Sequence, residues 1–250
     1  MRVIAHRGAS EAAPENTLAA FALARRMGAS GLEVDVQATA DRRLVIFHDP
    51  DTERLCGVPG RVRAMTLAEL RRLRVAGEHP IPTLEELLAT EDRPASLILE
   101  LKSYRWHDLA VADLLGRYLR RTRAHERTPI VVSAFHPVAL LKLKRHVPEV
   151  PRALLMMRGL RLPLRDGWSR RLVGAGELHL HAALVERARV TAAHQAGRAV
   201  IAWTVNDPEQ ALALRELGVD GVMTDAPDRI LAALGQRPAP PAVGDGPRRG

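Results

Sequence analysis

Short apolar runs alternate with segments of helix length along this 250-residue chain, and this order predicts a (β/α)8 barrel, the TIM-barrel class. The length is typical of one such barrel. An open doubly wound sheet is the competing fold, but no glycine-rich phosphate loop follows the first strand. The eight strands are predicted at residues 2–5, 32–36, 97–102, 130–133, 153–156, 177–181, 199–205 and 221–223.

A further apolar run at residues 44–47 does not fit the alternation. The link from Asp35 is too short for a parallel crossover, which takes about a dozen residues or more. We therefore predict that the second strand runs beyond the sheet, turns at residues 40–43 and returns antiparallel as a hairpin. Legs of equal length would bring His48 back level with Asp35.

Helices are predicted in the connections between the strands. Asn16 or Thr17 can cap the first helix. Thr83 caps the next one, with Glu86 at the capping-box position. The later helices are predicted at residues 109–121, 138–145, 185–196, 208–217 and 227–234.

The chain is predicted to form a single domain over residues 1–235. Residues 50–81 are irregular apart from a helical run at 67–73, and we interpret them as a short insertion after the second strand that forms a lid or wall. Residues 236–250 are rich in proline and glycine and carry little to bury, so we expect a disordered tail.

Composition narrows the class of protein. Cys56 is the single cysteine, which excludes an internal disulfide and a cysteine-rich zinc site. No signal-peptide pattern opens the sequence and no apolar run approaches the roughly 20 residues that span a bilayer. We therefore expect a cytoplasmic protein. The net charge of +8 comes from scattered arginines without interleaved aromatics, which argues against nucleic acid as a partner. A mild attraction for anionic small molecules, and weak contact with a membrane surface, remain compatible with it.

Carboxylates collect at the ends of the second and third predicted strands. Glu33 and Asp35 lie two residues apart, so they face the same side of an extended strand. Glu100 lies on the following strand of the barrel. Neighbouring carboxylates repel one another unless a cation or a shared proton compensates. Three carboxylates without cysteine favour a hard divalent cation, Mg²⁺ or Ca²⁺.

Basic and aromatic side chains accompany these carboxylates. Arg7 and Lys102 supply positive charge that suits a phosphate, and lysine is rare in this arginine-rich chain. His6 and His48 titrate near neutrality, so one can act as base and the other as acid. We assign Trp203, on the seventh strand, to substrate binding. A metal site, cations and two histidines together describe phosphodiester cleavage.

Structural roles remain open for several of these groups. Asp35 could form an ion pair with Arg7 alone, and Glu100 with Lys102 could be a salt bridge on the rim. We expect Asp49 to cap or turn the chain after His48. The residues to which we assign loop-holding or peripheral structural roles are Glu15, Asn16, Glu177, His179 and His181.

The ordered motifs resemble those of the glycerophosphodiester phosphodiesterase family, over nearly the whole chain to about residue 234. The motif residues are His6, Arg7 and Gly8; Pro14, Glu15, Asn16 and Thr17; Glu33, Val34, Asp35, Thr39 and Asp41; His48 and Asp49; Ile81, Pro82, Thr83, Leu84 and Glu85; Glu100, Leu101 and Lys102; Trp203, Thr204, Val205 and Asn206; Thr224 and Asp225. Ser133-Ala134-Phe135 departs from the paired serines that are more usual there.

The resemblance implies a barrel with an insertion after the second strand and hydrolysis of glycerophosphodiesters to sn-glycerol 3-phosphate and an alcohol. It implies metal ligands at Glu33, Asp35 and Glu100. It also implies acid and base roles for His6 and His48 and a phosphate contact from Arg7. The position of Lys102 resembles one that makes a further phosphate contact or orients a ligand.

Alternatives remain at the level of mechanism and function. The reaction can pass through a cyclic phosphate or through direct attack of water on phosphorus. A lysophospholipase D-like activity on lipid substrates is the second enzyme hypothesis, which an apolar rim on the insertion would favour. A phosphate-binding protein without catalysis would not need His6 and His48. The preferred alcohol, the choice between Mg²⁺ and Ca²⁺, and the oligomeric state are left open.

Overall fold

The computed structural model describes residues 1–103, 109–159 and 170–236, with the side chains of residues 170 and 171 left aside. The predicted tail lies outside these residues except for Gln236. The strands are β1 (Arg2–His6), β2 (Gly31–Ala38), β3 (Leu44–Ile46), β4 (Ser96–Leu101), β5 (Ile130–Ala134), β6 (Arg152–Met156), β7 (Glu177–His181), β8 (Ala199–Trp203) and β9 (Gly221–Thr224). The α-helices are α1 (Leu18–Arg26), α2 (Glu53–Cys56), α3 (Leu67–Leu70), α4 (Leu84–Ala89), α5 (Ala110–Thr122), α6 (Ala124–Arg127), α7 (Pro137–His146), α8 (Arg170–Val173), α9 (Arg187–Gln195), α10 (Pro208–Glu216) and α11 (Pro227–Ala233).

Eight parallel strands close into a barrel, which confirms the predicted fold class. The hydrogen-bonded order is β1-β9-β8-β7-β6-β5-β4-β2, and the pairing of β1 with β2 closes the ring. In this closed register His6 lies beside Glu33, and Asp35 lies beside Glu100. The barrel therefore brings residues from three strands to one place at the C-terminal ends of the strands, which we call the mouth.

The predicted hairpin is confirmed. β3 runs antiparallel to β2, with Ala38 opposite Leu44 and Val36 opposite Ile46. The N–H of Phe47 donates to the carbonyl of Asp35 at 2.9 Å. Phe47, rather than His48, is thus level with Asp35, and His48 follows it by one residue. The link is too short for anything but this reversal, because a parallel crossover needs about a dozen residues or more.

The interior of the barrel has an apolar floor below a polar mouth. Ile4, Ile98, Ile201 and Met223 form a buried cluster. Residues two apart on a strand face the same side, so His6 stands one step above Ile4 and Glu100 one step above Ile98. A larger apolar cluster packs the outer face of the sheet against the helices. The polar side chains are thereby held on a rigid, closely packed base.

The insertion over residues 50–81 shares a small apolar core with the hairpin. In addition, the N–H of Ala40 donates to the carbonyl of Met65 at 2.9 Å. The insertion is followed by α4, whose N-terminus carries the predicted capping box between Thr83 and Glu86. The buried members of the small core are Val45, Phe47, Val62, Leu70, Val75 and Ile81.

Later boundaries follow the predictions within a few residues. The helical run predicted at 67–73 ends at Leu70, and the helix predicted at 185–196 begins at Arg187, after a separate 3₁₀ turn at Ala182–Leu184. No helix in the described parts of the chain is both long and apolar enough to cross a membrane.

Gly8, which follows the His6-Arg7 pair, provides a test of how closely the first loop packs on α1. Its φ is +92°, and a Cβ there would lie 2.6 Å from Ala20 Cβ. Gly57 has a φ of +68° with open space around it. We expect Gly57→Ala to lower the free energy of unfolding by about 1 kcal/mol through backbone strain. Gly8→Ala should cost about 1–3 kcal/mol more through overpacking. Urea unfolding of both variants measures this; equal losses would contradict the packing.

Candidate active site

Three buried carboxylates converge at the mouth. Glu33 and Asp35 project from the same face of β2, and Glu100 projects from the neighbouring β4. One oxygen from each lies within 4.8 Å of the others, and all three residues are buried. The barrel thus brings together the three predicted ligands. Such an oxygen-only cluster suits a hard divalent cation.

Asp35 is compensated by the protein itself. Lys102 Nζ lies 2.9 Å from its Oδ1, and Arg7 Nε lies 3.2 Å from its Oδ2. The Asn16 amide donates to Oδ2 at 2.8 Å. Burial alone would raise the pKa of Asp35, but the charges of Lys102 and Arg7 hold it well below its usual range. Lys102 also contacts Glu100 Oε1 at 2.7 Å, so both ion pairs that the sequence left open do form.

The carboxylate of Glu33 has fewer hydrogen-bond and charge partners than that of Asp35. Its Oε2 accepts the backbone N–H of Arg7 at 3.2 Å. Its Oε1 is buried and accepts no hydrogen bond from any residue that the structure describes. Burial, and then the charge of Asp35, raise the pKa of Glu33 to about 8. A buried carboxylate oxygen without a partner is costly, and a cation held by Glu33, Asp35 and Glu100 would supply that partner.

His6 lies beside Glu33, and its imidazole is oriented by the carboxylate of Asp225, which directly follows β9. Its Nδ1 lies 2.7 Å from Asp225 Oδ1, and its Nε2 lies 3.9 Å from Glu33 Oε2. Asp225 is itself held by Ser10 Oγ at 2.8 Å and by the Asn206 amide at 2.6 Å. Burial lowers the pKa of His6, but the bond to Asp225 and the charge of Glu33 outweigh it, so the pKa is raised.

His48 is held in the same way by its sequence neighbour. Its Nδ1 lies 2.6 Å from Asp49 Oδ1. Burial, reinforced by the charges of Lys102 and Arg7, keeps the pKa of His48 below its usual value despite nearby Asp35. We expected Asp49 to cap or turn the chain; its carboxylate instead binds His48 and, at 2.5 Å, Arg54 Nε. Each histidine thus has a carboxylate on Nδ1.

Aromatic side chains line another part of the mouth. The Trp203 ring makes edge contacts with Phe135 at 5.6 Å and with His181 at 5.3 Å between centroids. Its Nε1 donates to the carbonyl of His179 at 3.0 Å. The contacts put Trp203 at the end of β8 on the same inward face as Ile201. Its role in substrate binding stays a prediction.

Glu177 and His179 are not brought to the acidic cluster. His179 is fully buried inside the barrel and pairs with Glu177 at 2.9 Å. Glu177 begins β7 and pairs with Arg2 at 2.8 Å, so it lies at the N-terminal ends of the strands. Both side chains take part in a structural pair there, and of this alternating set only the His181 side chain contacts the aromatic group at the mouth.

Sequence reasoning gave no role to two residues that the structure connects to the histidines. Asp225 was noted as part of a motif, and its place at the end of the last strand is the signal that could have assigned it to the mouth. Arg54 lies in the irregular insertion, where no periodic pattern indicates the direction of a side chain. Asn16 holds the first loop as expected: its backbone N–H donates to the Arg7 carbonyl at 2.9 Å, and its side-chain amide donates to Asp35.

Comparison with known proteins agrees with this geometry. Residues 6–229 match the model of the glycerophosphoryl diester phosphodiesterase family. A glycerophosphodiester phosphodiesterase from Caldanaerobacter subterraneus is 33% identical over 92% of this chain and 96% of its own. One from Bacillus altitudinis is 31% identical over 92% and 96%.

Solved structures give the same result. A phosphodiesterase from Oleispira antarctica, solved with the product sn-glycerol-3-phosphate, has a TM-score of 0.85, 30% identity, and coverage of 94% of this chain and 97% of its own. A glycerophosphodiester phosphodiesterase from Thermotoga maritima has a TM-score of 0.75, 27% identity, and coverage of 92% and 96%. The chain therefore belongs to the glycerophosphoryl diester phosphodiesterase family of phosphoric diester hydrolases.

Proposed function

We propose that this protein hydrolyses glycerophosphodiesters to sn-glycerol 3-phosphate and an alcohol, with one divalent cation, Mg²⁺ or Ca²⁺, and with His6 and His48 as proton carriers. The observation that carries the proposal is the buried acidic cluster beside two histidines that each bind a carboxylate. The product bound to the Oleispira antarctica phosphodiesterase supports the glycerol phosphate half of the substrate.

Glu33, Asp35 and Glu100 would hold the cation. When bound, a divalent cation neutralises these carboxylates and polarises a phosphoryl oxygen. Arg7 and Lys102 lie against the same carboxylates, so their positive charge is placed where a phosphate would approach. Hydrogen bonds from Arg7 and Lys102 to the phosphate would orient a phosphodiester and offset its negative charge.

His6 and His48 would divide the proton transfers between them. The carboxylate on each Nδ1 fixes the ring and its tautomer, so that Nε2 takes or gives the proton. In one route a histidine removes the proton of the neighbouring glycerol hydroxyl, which attacks phosphorus and closes a cyclic phosphate, while the other histidine protonates the leaving alcohol. Water then opens the ring with the roles reversed. Direct attack of water on phosphorus is the alternative, and trapping a cyclic product distinguishes the two.

The insertion bears on the lysophospholipase D-like alternative. An apolar rim there would favour a lipid alcohol. This segment is fully described, and one of its large apolar side chains, Val58, is exposed, at 46%. Most of its other apolar side chains pack into the small core against the hairpin. This favours polar glycerophosphodiesters over lysolipids. A panel of both substrate types with Mg²⁺ or Ca²⁺ tests the preference, and faster turnover of lysolipids would reverse it.

We expect one cation per chain to bind the acidic cluster and turnover to stop when a chelator removes it, because three carboxylates cannot meet uncompensated at acceptable cost. Titration calorimetry should show this binding lost in Glu33→Gln. The matched control is Glu53→Gln, whose carboxylate is exposed on the insertion. Binding that is unchanged in Glu33→Gln would remove Glu33 from the ligand set.

We expect His6→Ala and His48→Ala each to lower turnover of natural substrates by roughly 10²- to 10⁴-fold, the usual range for general acid–base catalysis. An activated p-nitrophenyl ester has a leaving group that needs no proton, so it should rescue only the variant that lacks the acid. Steady-state kinetics on both substrates assign the two roles. Near-normal turnover of glycerophosphodiesters by both variants with metal bound would make the histidines structural.

A further inference from the structure

The guanidinium of Arg54, on the short helix α2 of the insertion, donates hydrogen bonds to two carboxylates at once. Its Nε lies 2.5 Å from Asp49 Oδ2 and its Nη2 lies 3.1 Å from Asp49 Oδ1. Its Nη1 and Nη2 lie 3.0 and 2.9 Å from the two oxygens of Glu15. All donors are on one planar guanidinium, so the relative position of Asp49 and Glu15 is set by a single rigid group.

Both carboxylates also bind residues at the mouth of the barrel. Asp49 Oδ1, besides accepting from Arg54, lies 2.6 Å from His48 Nδ1. Glu15 Oε1 accepts from Arg7 Nη1 at 3.0 Å, and Arg7 Nε pairs with Asp35. The side chains thus form a continuous chain of alternating charge from His48 to Asp35. Glu15 is held in place by Arg7, so Arg54, which binds Glu15 and Asp49 together, fixes the position of Asp49 relative to Glu15.

We propose that Arg54 is a positioning residue for His48: it holds Asp49 in the orientation in which that carboxylate binds the imidazole, with Glu15 as the second anchor. The inference rests on the proposed function, in which His48 carries a proton. It makes the insertion part of the active site through one side chain. It also assigns a catalytic purpose to a segment that contributes none of the predicted metal ligands or catalytic histidines.

The chemistry of the guanidinium explains why removal should disturb His48. Without Arg54, Asp49 loses two of its hydrogen bonds and faces Glu15 with no cation between them, so the two carboxylates repel. Asp49 can then turn away from His48, and the imidazole loses the group that fixes its tautomer. Arg54 itself is half exposed, at 50%, and exposed ion pairs contribute little to stability. The effect should therefore fall on turnover rather than on folding.

The test compares Arg54→Met, which keeps much of the aliphatic stem, with Arg61→Met. Arg61 is also exposed on the insertion, and its side chain makes no hydrogen bond with any residue in the described part of the chain. Misplacement of a catalytic group can cost about 10²-fold. We expect Arg54→Met to lower kcat on a glycerophosphodiester by roughly 10- to 10²-fold relative to Arg61→Met, with the same thermal midpoint. Turnover equal to that of the control would overturn the proposal.

A double-mutant cycle with His48→Ala, run at high enzyme concentration on the same substrate, separates positioning from a general structural role. If Arg54 acts through His48, adding Arg54→Met to His48→Ala should cause no further loss. An equal loss in both backgrounds would sink the inference while leaving the proposed function intact. Normal turnover of His48→Ala would instead overturn the proposed function, and the inference with it.

Arg54→Lys guards against an Arg54→Met variant that fails to fold. Lysine keeps the charge but cannot span both carboxylates with a planar fork. It should fold and show a kcat between those of Arg61→Met and Arg54→Met. A lysine variant with the full turnover of the control would show that charge alone suffices, and it would contradict the role given to the guanidinium geometry.

Discussion

Repulsion among three buried carboxylates is the constraint on which the rest of the mouth depends. Removing a charge from water costs several kcal/mol even after relaxation, and Glu33, Asp35 and Glu100 meet within 4.8 Å. The protein answers by directing Lys102 and Arg7 to Asp35. Arg7 follows β1 and Lys102 follows β4, so the repulsion among the carboxylates is offset only when these strands are assembled in the barrel. Fold and site are thus coupled through electrostatics.

Most of the barrel and the acidic cluster could be predicted from sequence because both follow from local periodicity. A separation of two residues puts Glu33 and Asp35 on one face, and the order of strands brings Glu100 beside them. The hairpin followed from chain length alone, because the link after Asp35 cannot cross over. The capping box at Thr83 is equally local, since its two partners lie three residues apart.

The His48–Asp49 pair is local, but the pairing of His6 with Asp225 and the contacts of Arg54 could not be predicted, because they depend on how distant parts of the chain meet. His6 and Asp225 are 219 residues apart and meet only when β9 closes against β1. Arg54 lies on a helix of only four residues, which is too short for a periodic pattern in the sequence to indicate where its side chain points. Sequence shows which residue types are present at the mouth, but the partner of each depends on closure of the ring and on the path of the insertion.

The charge of the inner group explains how such a site can accept a phosphodiester. Three carboxylates face Arg7 and Lys102, so the group carries one negative charge when all five are ionised and no net charge when Glu33, whose pKa is raised to about 8, holds a proton. A phosphodiester also carries one negative charge, so the protein's own cations do not suffice to attract it. A divalent cation held by the cluster would reverse the sign of the group and leave one positive charge. Metal binding would then control substrate binding as well as the reaction, because only the cation gives this group a net positive charge.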